Sequence, residues 1–572
     1  MCYKKHLVSL IMCTLSVAFL TPQATGRSIA LLTARPVWQL ALGASALGLP
    51  SVQDGAVVVV CNGGSVRAYT EDGKPLWTYT TPGRLTPHLS RTPEGISYIC
   101  RTNGNLIALN RVGRELWRVN LGAPLIAPVL LGWDGRIFAA TARNLLCYTP
   151  TGYPLWSKPL ESAITVAPVP DKQGGFVMAL ASGELLRVNA FGTISTYELS
   201  DEVAALVPFS GSGEEAPVLI LYKSGAMEID GITAYPPLPA LPAPPKAAID
   251  RQNTNGPTDK VAITLVNGQV LLLSLIEGSI LWTGQSNIQP EELAKDDTEL
   301  IMRYNEQGIY VLAMAGAAGF SEEGDRRWFL RLVGASSLSA WSDNGLLFSG
   351  GKDWVFYAYR FEDAPLTPEL APAAMLIQRP SYNLGEFPPR GDYRFSDSEL
   401  KLGFSRINEA ITKGQIGEDE KAFARYLMEV AASLRNNPRA STIRPPVQVN
   451  NRAEATRLLG FIGSVELIPF LVDLFNNDPE PLVKAAAAES IGRIGVDPDG
   501  LAMAAFSSVI LGLYPIRDTQ ALIAIASAIG SLCRFSGPIL SSTGTKLLVA
   551  LLANTNQSAV RNRARWELDQ LR

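Results

Sequence analysis

Two stretches decide the fold: Gly64-Ser-Val-Arg-Ala-Tyr-Thr-Glu-Asp-Gly-Lys-Pro-Leu-Trp77 and Gly104-Asn-Leu-Ile-Ala-Leu-Asn-Arg-Val-Gly-Arg-Glu-Leu-Trp117. Each reads as a hairpin, in which an alternating strand such as Leu106 to Leu109 enters a Gly-containing turn and a second strand ends on an aromatic residue. A third copy starts at Asn144 and closes with Gly152-Tyr153-Pro154-Leu155-Trp156. Weaker copies end at Tyr197 and Tyr235, stronger ones at Trp282 and Trp328, and Trp38 is an earlier token of the same kind. The turn glycines are Gly73, Gly113, Gly152, Gly192, Gly278 and Gly324, and the aromatic tokens are spaced by 39, 40, 39, 41, 38, 47 and 46 residues. The rest of each period supplies further β-prone runs: Ala56 to Val60, Ile96 to Ile99 and Arg136 to Ala139.

A period of about 40 residues holding four short strands is the unit length of a propeller blade. A lone blade cannot bury both faces, so such units stack in a ring, with the bulky aromatic filling the wedge between neighbours. The first strands of the hairpins fall near Ala68, Ala108, Cys147, Arg187, Glu228, Leu272, Val311 and Tyr357, which predicts eight blades, seven being the alternative. The eighth unit, Asp353 to Arg360, has no turn and Trp of its own, and the orphan Trp38 strand can complete it.

Outward from the ring, Pro236 to Pro245 reads as a polyproline-II-prone surface insertion, with a polar stretch to Lys260. Residues 363–395 are Pro-rich and read as an interdomain linker. Ser396-Asp-Ser-Glu399 resembles a capping box, and from there the apolar period changes from two to 3.6. A helix is expected over Glu418 to Leu434, then a second linker, Asn436 to Val449. From 450 onward a helical unit repeats: Ala453 to Gly463, Ala485 to Gly495 and Leu522 to Gly530, with Gly spacings of 32 and 35. Leu467 to Phe475 is the partner helix of the first copy, and a last helix begins near Ser558 with Arg561, Arg563, Arg565 and Trp566.

The 572 residues, 47% apolar and 18% charged, suit more than one packed domain. A net charge of −3 gives no field for nucleic acid or an anionic membrane surface. Two histidines, His6 and His88, supply little for metal sites or His-based catalysis. Lys4, Lys5 and His6, the apolar run Leu7 to Leu20, Pro22 and Ala24-Thr25-Gly26 read as a signal peptide over 1–26, cleaved after Gly26. A lipid on Cys13 is disfavoured, since Met12 is large. The expected location is periplasmic or otherwise exported, with no transmembrane segment in the mature chain. Cys61, Cys100, Cys147 and Cys533 remain after cleavage, without a CxxC or adjacent pair, so neither a metal cluster nor a disulfide framework is indicated.

The units over about 30–362 resemble the PQQ-like, quinoprotein-type propeller repeat, whose hallmark is a turn Gly followed four residues later by Trp. Gly73/Trp77, Gly113/Trp117, Gly152/Trp156, Gly278/Trp282 and Gly324/Trp328 keep that spacing. The family's strand-end Asp is replaced by Thr70, Asn110, Thr149, Asn189 and Ser274, and most turns are one residue shorter. The helical units over 450–572 resemble HEAT-type repeats. A quinone dehydrogenase of the superfamily would need calcium ligands, a catalytic Asp, a stacking Trp and often an adjacent Cys pair. The mature chain lacks that pair and any Gly-x-Ser-x-Gly, His-Glu-x-x-His or P-loop motif, while Asp134, Asp171, Glu184 and Asp353 sit in turn or strand-end contexts. The architecture implies no cofactor, and resembles BamB-like accessory subunits of outer-membrane β-barrel assembly, which lack a helical tail and are normally lipoproteins. The expectation is an exported, non-enzymatic scaffold of the bacterial cell envelope that binds proteins of that envelope, with peripheral membrane association compatible. A quinone- or sugar-binding propeller, as sensor or oxidoreductase, is the alternative.

Overall fold

The computed structural model describes residues 36–572, apart from 133, 172–174, 190–191, 210–216, 231–234, 252–258, 296–299, 307, 315, 333, 343, 361–375, 378–396, 414–419, 434–446, 513–516, 536–537, 554–555 and 572. The signal-peptide reading therefore lies outside the described residues.

Eight antiparallel sheets follow one another through Arg360. Blade 1 consists of Ala46–Gln53, Ala56–Cys61, Ser65–Thr70 and Pro75–Thr80, here called strands a to d from the inside outward. Blade 2 consists of Leu85–Arg91, Ser97–Arg101, Asn105–Leu109 and Glu115–Asn120, and blade 3 of Leu130–Gly132, Ile137–Thr141, Asn144–Tyr148 and Pro154–Pro159. Strands a of blades 8, 1 and 2 touch in turn, as do those of blades 4 to 7, which places them around the central channel. Strands b and c carry unbroken buried runs such as Val57 to Cys61 and Val218 to Tyr222, because both faces of each sheet are covered by the next blade. Ring closure uses the N-terminal strand: Pro36–Ala41 pairs antiparallel with Val355–Arg360, Trp38 opposite Ala358, and completes blade 8.

The residues that replace the family's strand-end Asp all hold the c–d turn. Thr70 Oγ1 accepts from the Lys74 amide (3.1 Å), Asn110 Oδ1 from Arg114 (2.8 Å), Thr149 Oγ1 from Tyr153 (3.1 Å), Asn189 Oδ1 from Thr193 (2.9 Å) and Ser274 Oγ from Glu277 (3.2 Å). A short polar acceptor satisfies the turn's amide whichever residue carries it.

The aromatic tokens interlock with the turn glycines of the following blade. A Cβ built on Gly73 would lie 3.1 Å from the Trp38 ring, one on Gly113 2.5 Å from Trp77, one on Gly152 2.8 Å from Trp117, one on Gly192 2.8 Å from Trp156 and one on Gly324 2.6 Å from Trp282. These glycines have φ between 77° and 95°, so the position requires both the missing Cβ and the left-handed backbone. Four indoles also donate across the blade boundary, to the carbonyl two residues before that glycine: Trp38 to Glu71 (2.7 Å), Trp77 to Arg111 (2.9 Å), Trp117 to Pro150 (2.8 Å) and Trp282 to Glu322 (2.8 Å). Trp156 and Trp328 are fully buried, and Trp328 meets Trp341 of blade 8 at 5.9 Å.

Four readings of the ring need correction. Tyr197 is exposed and donates to Glu228 (2.5 Å) instead of filling a wedge. Tyr235 packs edge-on against Phe209 (5.8 Å), and Pro236 takes the place beside Gly278, 2.8 Å from its would-be Cβ. The Pro-rich run is no insertion, since the Leu241 amide donates to Gly225 O (2.9 Å) just as Leu121 does to Gly104 O (2.8 Å), and Pro245–Asp250 is strand a of blade 6. Finally, Val311 lies on strand b of blade 7, and strand c is Gly316–Phe320. That Gly-Ala-rich strand has low β-propensity but must be small, as a Cβ on Gly319 would lie 2.5 Å from Trp328.

A single helical turn, α1 (Pro290–Leu293), precedes blade 7. The C-terminal helices are α2 (Asp397–Thr412), α3 (Glu420–Ala432), α4 (Val449–Ile462), α5 (Ile468–Asn477), α6 (Pro481–Ile494), α7 (Leu501–Ile510), α8 (Thr519–Phe535), α9 (Pro538–Leu551) and α10 (Ser558–Leu571). One core runs from Leu400 and Phe404 of α2 through Leu427, Leu459, Ile491 and Ile529 to Val560, so α2 and α3 belong to the stack, and the expected boundary at 450 falls inside it. Close helix contacts need small residues: Gly460 faces Ser490, Gly492 faces Ala528 and Gly530 faces Glu567. Gly463 and Gly495 are instead left-handed caps of α4 and α6, so the third sequence copy is aligned through Gly530 with the packing glycines and not with the caps.

Candidate functional site: the seam between ring and helical stack

Antiparallel pairing puts the a–b and c–d turns of every blade on one face of the ring and the b–c turns on the other. The stack sits on the first face, over blades 2 and 3. The Pro-rich segment before it contributes a short strand: Leu376–Ile377 pairs in parallel with Leu131 and Gly132 on the channel side of blade 3.

At the centre of the seam is a buried charge cluster. The a–b turn of blade 3, Asp134-Gly135, delivers Arg136, whose Nη2 donates to Glu420 Oε1 (2.8 Å) and Nη1 to Glu420 Oε2 (3.3 Å). Asp134 Oδ2 lies 3.0 Å from Arg136 Nε, and Asp134 Oδ1 accepts from the Arg136 amide (3.1 Å). The side chains of Arg136 and Glu420 are each only 2% exposed. Burial pushes the carboxyls of Glu420 and Asp134 above the usual carboxylate range, with Arg136 pulling both back down. Burial opposes the charge on Arg136, but the two carboxylates outweigh it and hold the guanidinium firmly protonated. Glu420 opens α3 on the stripe that also carries Phe423, Ala424 and Leu427, so the packing of α3 delivers it to the ring.

Around this cluster the cap glycines of the stack fit the c–d turn of blade 3. A Cβ on Gly463 would lie 2.8 Å from Leu155 and Thr149, and one on Gly495 2.9 Å from Thr151. Thr151 Oγ1 donates to Arg493 O (2.8 Å). The Arg493 guanidinium lies 3.9 Å from the Phe461 ring centroid and 5.3 Å from that of Tyr153, and those two rings meet edge-on at 5.9 Å. Phe535, at the end of α8, packs into the blade 2 core with Ile96 and Tyr98, and Arg114 Nη1 donates to Asp569 O (2.9 Å). The two halves, read from the sequence as joined by a Pro-rich linker, are fixed against each other here by a buried ion pair and an apolar contact.

The other carboxylates named from the sequence make local hydrogen bonds. Asp171 Oδ1 accepts from the Gly175 amide (2.8 Å), Glu184 from Ser182 Oγ (2.7 Å) and Asp353 from the Val355 amide (3.2 Å). Cys61, Cys100, Cys147 and Cys533 are free and buried. Among the described residues there is no group of three His, Cys, Asp or Glu side chains placed to hold a metal. Among them, too, no helix is long and apolar enough to cross a membrane.

The molecule is thus a PQQ-like eight-bladed propeller carrying a HEAT-type helical stack. The model of the family described as outer membrane protein assembly factor BamB matches residues 15–111 and 102–363, and the chain belongs to that family. HEAT repeats match at 448–505. Similar solved structures include BamB from Moraxella catarrhalis, 15% identical over 57% of this chain and 100% of that chain with a TM-score of 0.43. Two others are the C-terminal WD40 domain of Sif2 (13%, 58% and 99%, TM-score 0.42) and the computationally designed Ika8 protein (15%, 56% and 98%, TM-score 0.43). No individually curated protein matches the chain.

Proposed function

We propose that this protein is an exported, non-enzymatic scaffold of the bacterial cell envelope, working as an accessory factor in outer-membrane protein assembly. The observation that carries the reading is the seam. Arg136 and Glu420 lock the helical stack onto blades 2 and 3, so ring and stack present one composite surface to protein partners. Repeat architectures build broad binding surfaces of this kind, and family membership supplies the assembly context. The basic start, apolar run and Ala24-Thr25-Gly26 site support export.

The test is made in the native host. Loss of the protein lowers the amount of folded β-barrel protein in the outer membrane, and restoring the full chain recovers it. The seam variant Glu420→Ala, which leaves both outer surfaces chemically intact, recovers it incompletely. Unchanged β-barrel levels would defeat the assembly role. Uptake of a quinone with turnover of a quinone-linked substrate by the purified protein would defeat the non-enzymatic reading.

A further inference from the structure

Beside the seam lies a cleft of about 340 Å³, walled by the a–b turns of blades 1 and 2, the c–d turn of blade 2 and the ends of α8 and α10. Its lining includes Asp54, Arg91, Glu94, Arg111, Arg534 and Gln570. Arg91 is only 4% exposed, and the opposite charge that acts on it, Asp54 of the same lining, does not close an ion pair: among the described residues no carboxylate oxygen comes within 4.0 Å of it. Its Nη1 donates to Gln53 O (3.1 Å) and Ala56 O (3.3 Å), which fixes the guanidinium plane, and its Nε meets no acceptor. A buried cation normally has a partner carboxylate, and an Arg edge left open is the fork that takes a carboxylate in two parallel bonds.

The other charges decide which anion suits. Arg534 is matched by Glu567 at 2.5 Å. The lining also holds Arg111 together with the carboxylates Asp54 and Glu94, so it carries no large positive surplus and disfavours a dianion. Gly95, at φ 88°, keeps the approach open: a Cβ there would lie 3.5 Å from Arg91 Nη2 and 3.0 Å from Arg111 Cβ.

We propose that this cleft binds a single carboxylate of a polypeptide, an acidic side chain or a chain terminus, through the open edge of Arg91. The volume is at the lower end for ligand pockets and suits one or two residues.

Ligand-observed NMR on the full mature chain tests this, whether or not the protein is a scaffold. N-acetylglutamate amide represents a side-chain carboxylate, N-acetylalanine a chain terminus, N-acetylglutamine amide the neutral control and inorganic phosphate the dianion. One or both carboxylate probes saturate, the stronger naming the source, while the amide and phosphate do not. Arg91→Lys, which keeps the charge and loses the fork, weakens binding at least about tenfold. Val112→Trp, at an exposed lining position away from Arg91, occludes the cleft and abolishes binding without touching the core. No saturation by either carboxylate up to about 10 mM, equal binding of Glu and Gln probes, or full binding by Val112→Trp overturns the proposal.

Discussion

Replacing Glu420 by Ala removes both acceptors of the Arg136 fork and leaves a guanidinium that is 2% exposed. Breaking a buried pair from one side costs about 3–5 kcal/mol, because the remaining charge stays desolvated. Asp134 still lies 3.0 Å from Arg136 Nε, so the loss falls at the lower end, about 3 kcal/mol. A tenfold change in equilibrium corresponds to about 1.4 kcal/mol, so the seat of the stack weakens roughly a hundredfold. The assay is urea unfolding followed by two probes: far-UV circular dichroism, dominated by the stack, and Trp fluorescence, dominated by the ring. The two transitions coincide in the parent and separate in the variant, the helical signal moving to lower urea. Converting the whole cluster, Asp134→Asn with Arg136→Met and Glu420→Leu, restores stability to within about 1.5 kcal/mol of the parent, since an apolar replacement needs no desolvation. A Glu420→Ala loss below about 1 kcal/mol, with coincident transitions, would refute the claim that this pair seats the stack.

Three further outcomes follow from the ring. Burial holds the half-buried His88 imidazole down at about 4. Because its folded value lies below 6.5, its contribution is present above pH 6.5 and fades as pH falls towards 4; His88→Gln flattens that part of the stability–pH curve, and an unchanged slope would contradict it. Gly113→Ala destabilises more than Gly122→Ala, by about 2 kcal/mol in thermal unfolding. Both glycines have φ near 80°, but only Gly113 has the Trp77 ring in the way, so equal losses would show that backbone strain alone is at work. Trp354, 56% exposed at φ 65°, occupies the b–c turn position held by Gly64, Gly104, Gly183, Gly225 and Gly268 in other blades. Trp354→Asn therefore raises stability by about 1 kcal/mol, and a lowered melting temperature would count against strain at this turn.

The ring was legible because its chemistry repeats locally: a glycine and an aromatic at fixed offsets mark each unit and imply a wedge-filling side chain, although the interlock of Trp77 with Gly113 is seen only in the fold. Strand c of blade 7 was hidden because Gly316-Ala-Ala-Gly-Phe320 is selected for smallness beneath Trp328, which erases the β-branched signal. The run Pro236 to Pro245 looked like a loop because proline carries few amides, although Leu241 keeps the register of its neighbours. The seam was unreadable for another reason. Arg136 and Glu420 are 284 residues apart, and nothing local to either pairs it with the other. One sign was available: Glu420 shares a helical stripe with Phe423, Ala424 and Leu427, and a charge on an apolar stripe calls for a partner from elsewhere. Arg91 offered no comparable sign, since its isolation exists only once the turns of blades 1 and 2 have met the stack.

The strand that closes the ring, Pro36–Ala41, is synthesised first among the strands of the ring, yet its partner Val355–Arg360 is made last. Until then the growing array has a free hydrogen-bonding edge at each end, an invitation to pair with another copy. The stack, which emerges later still, grips blades 2 and 3 and not the junction in blade 8. The latch is therefore left to its own strand pairing and to Trp38 against Gly73. Two chains that meet before closing have an obvious way to err: each lends its first strand to the other's last blade, giving an exchanged dimer with every blade intact.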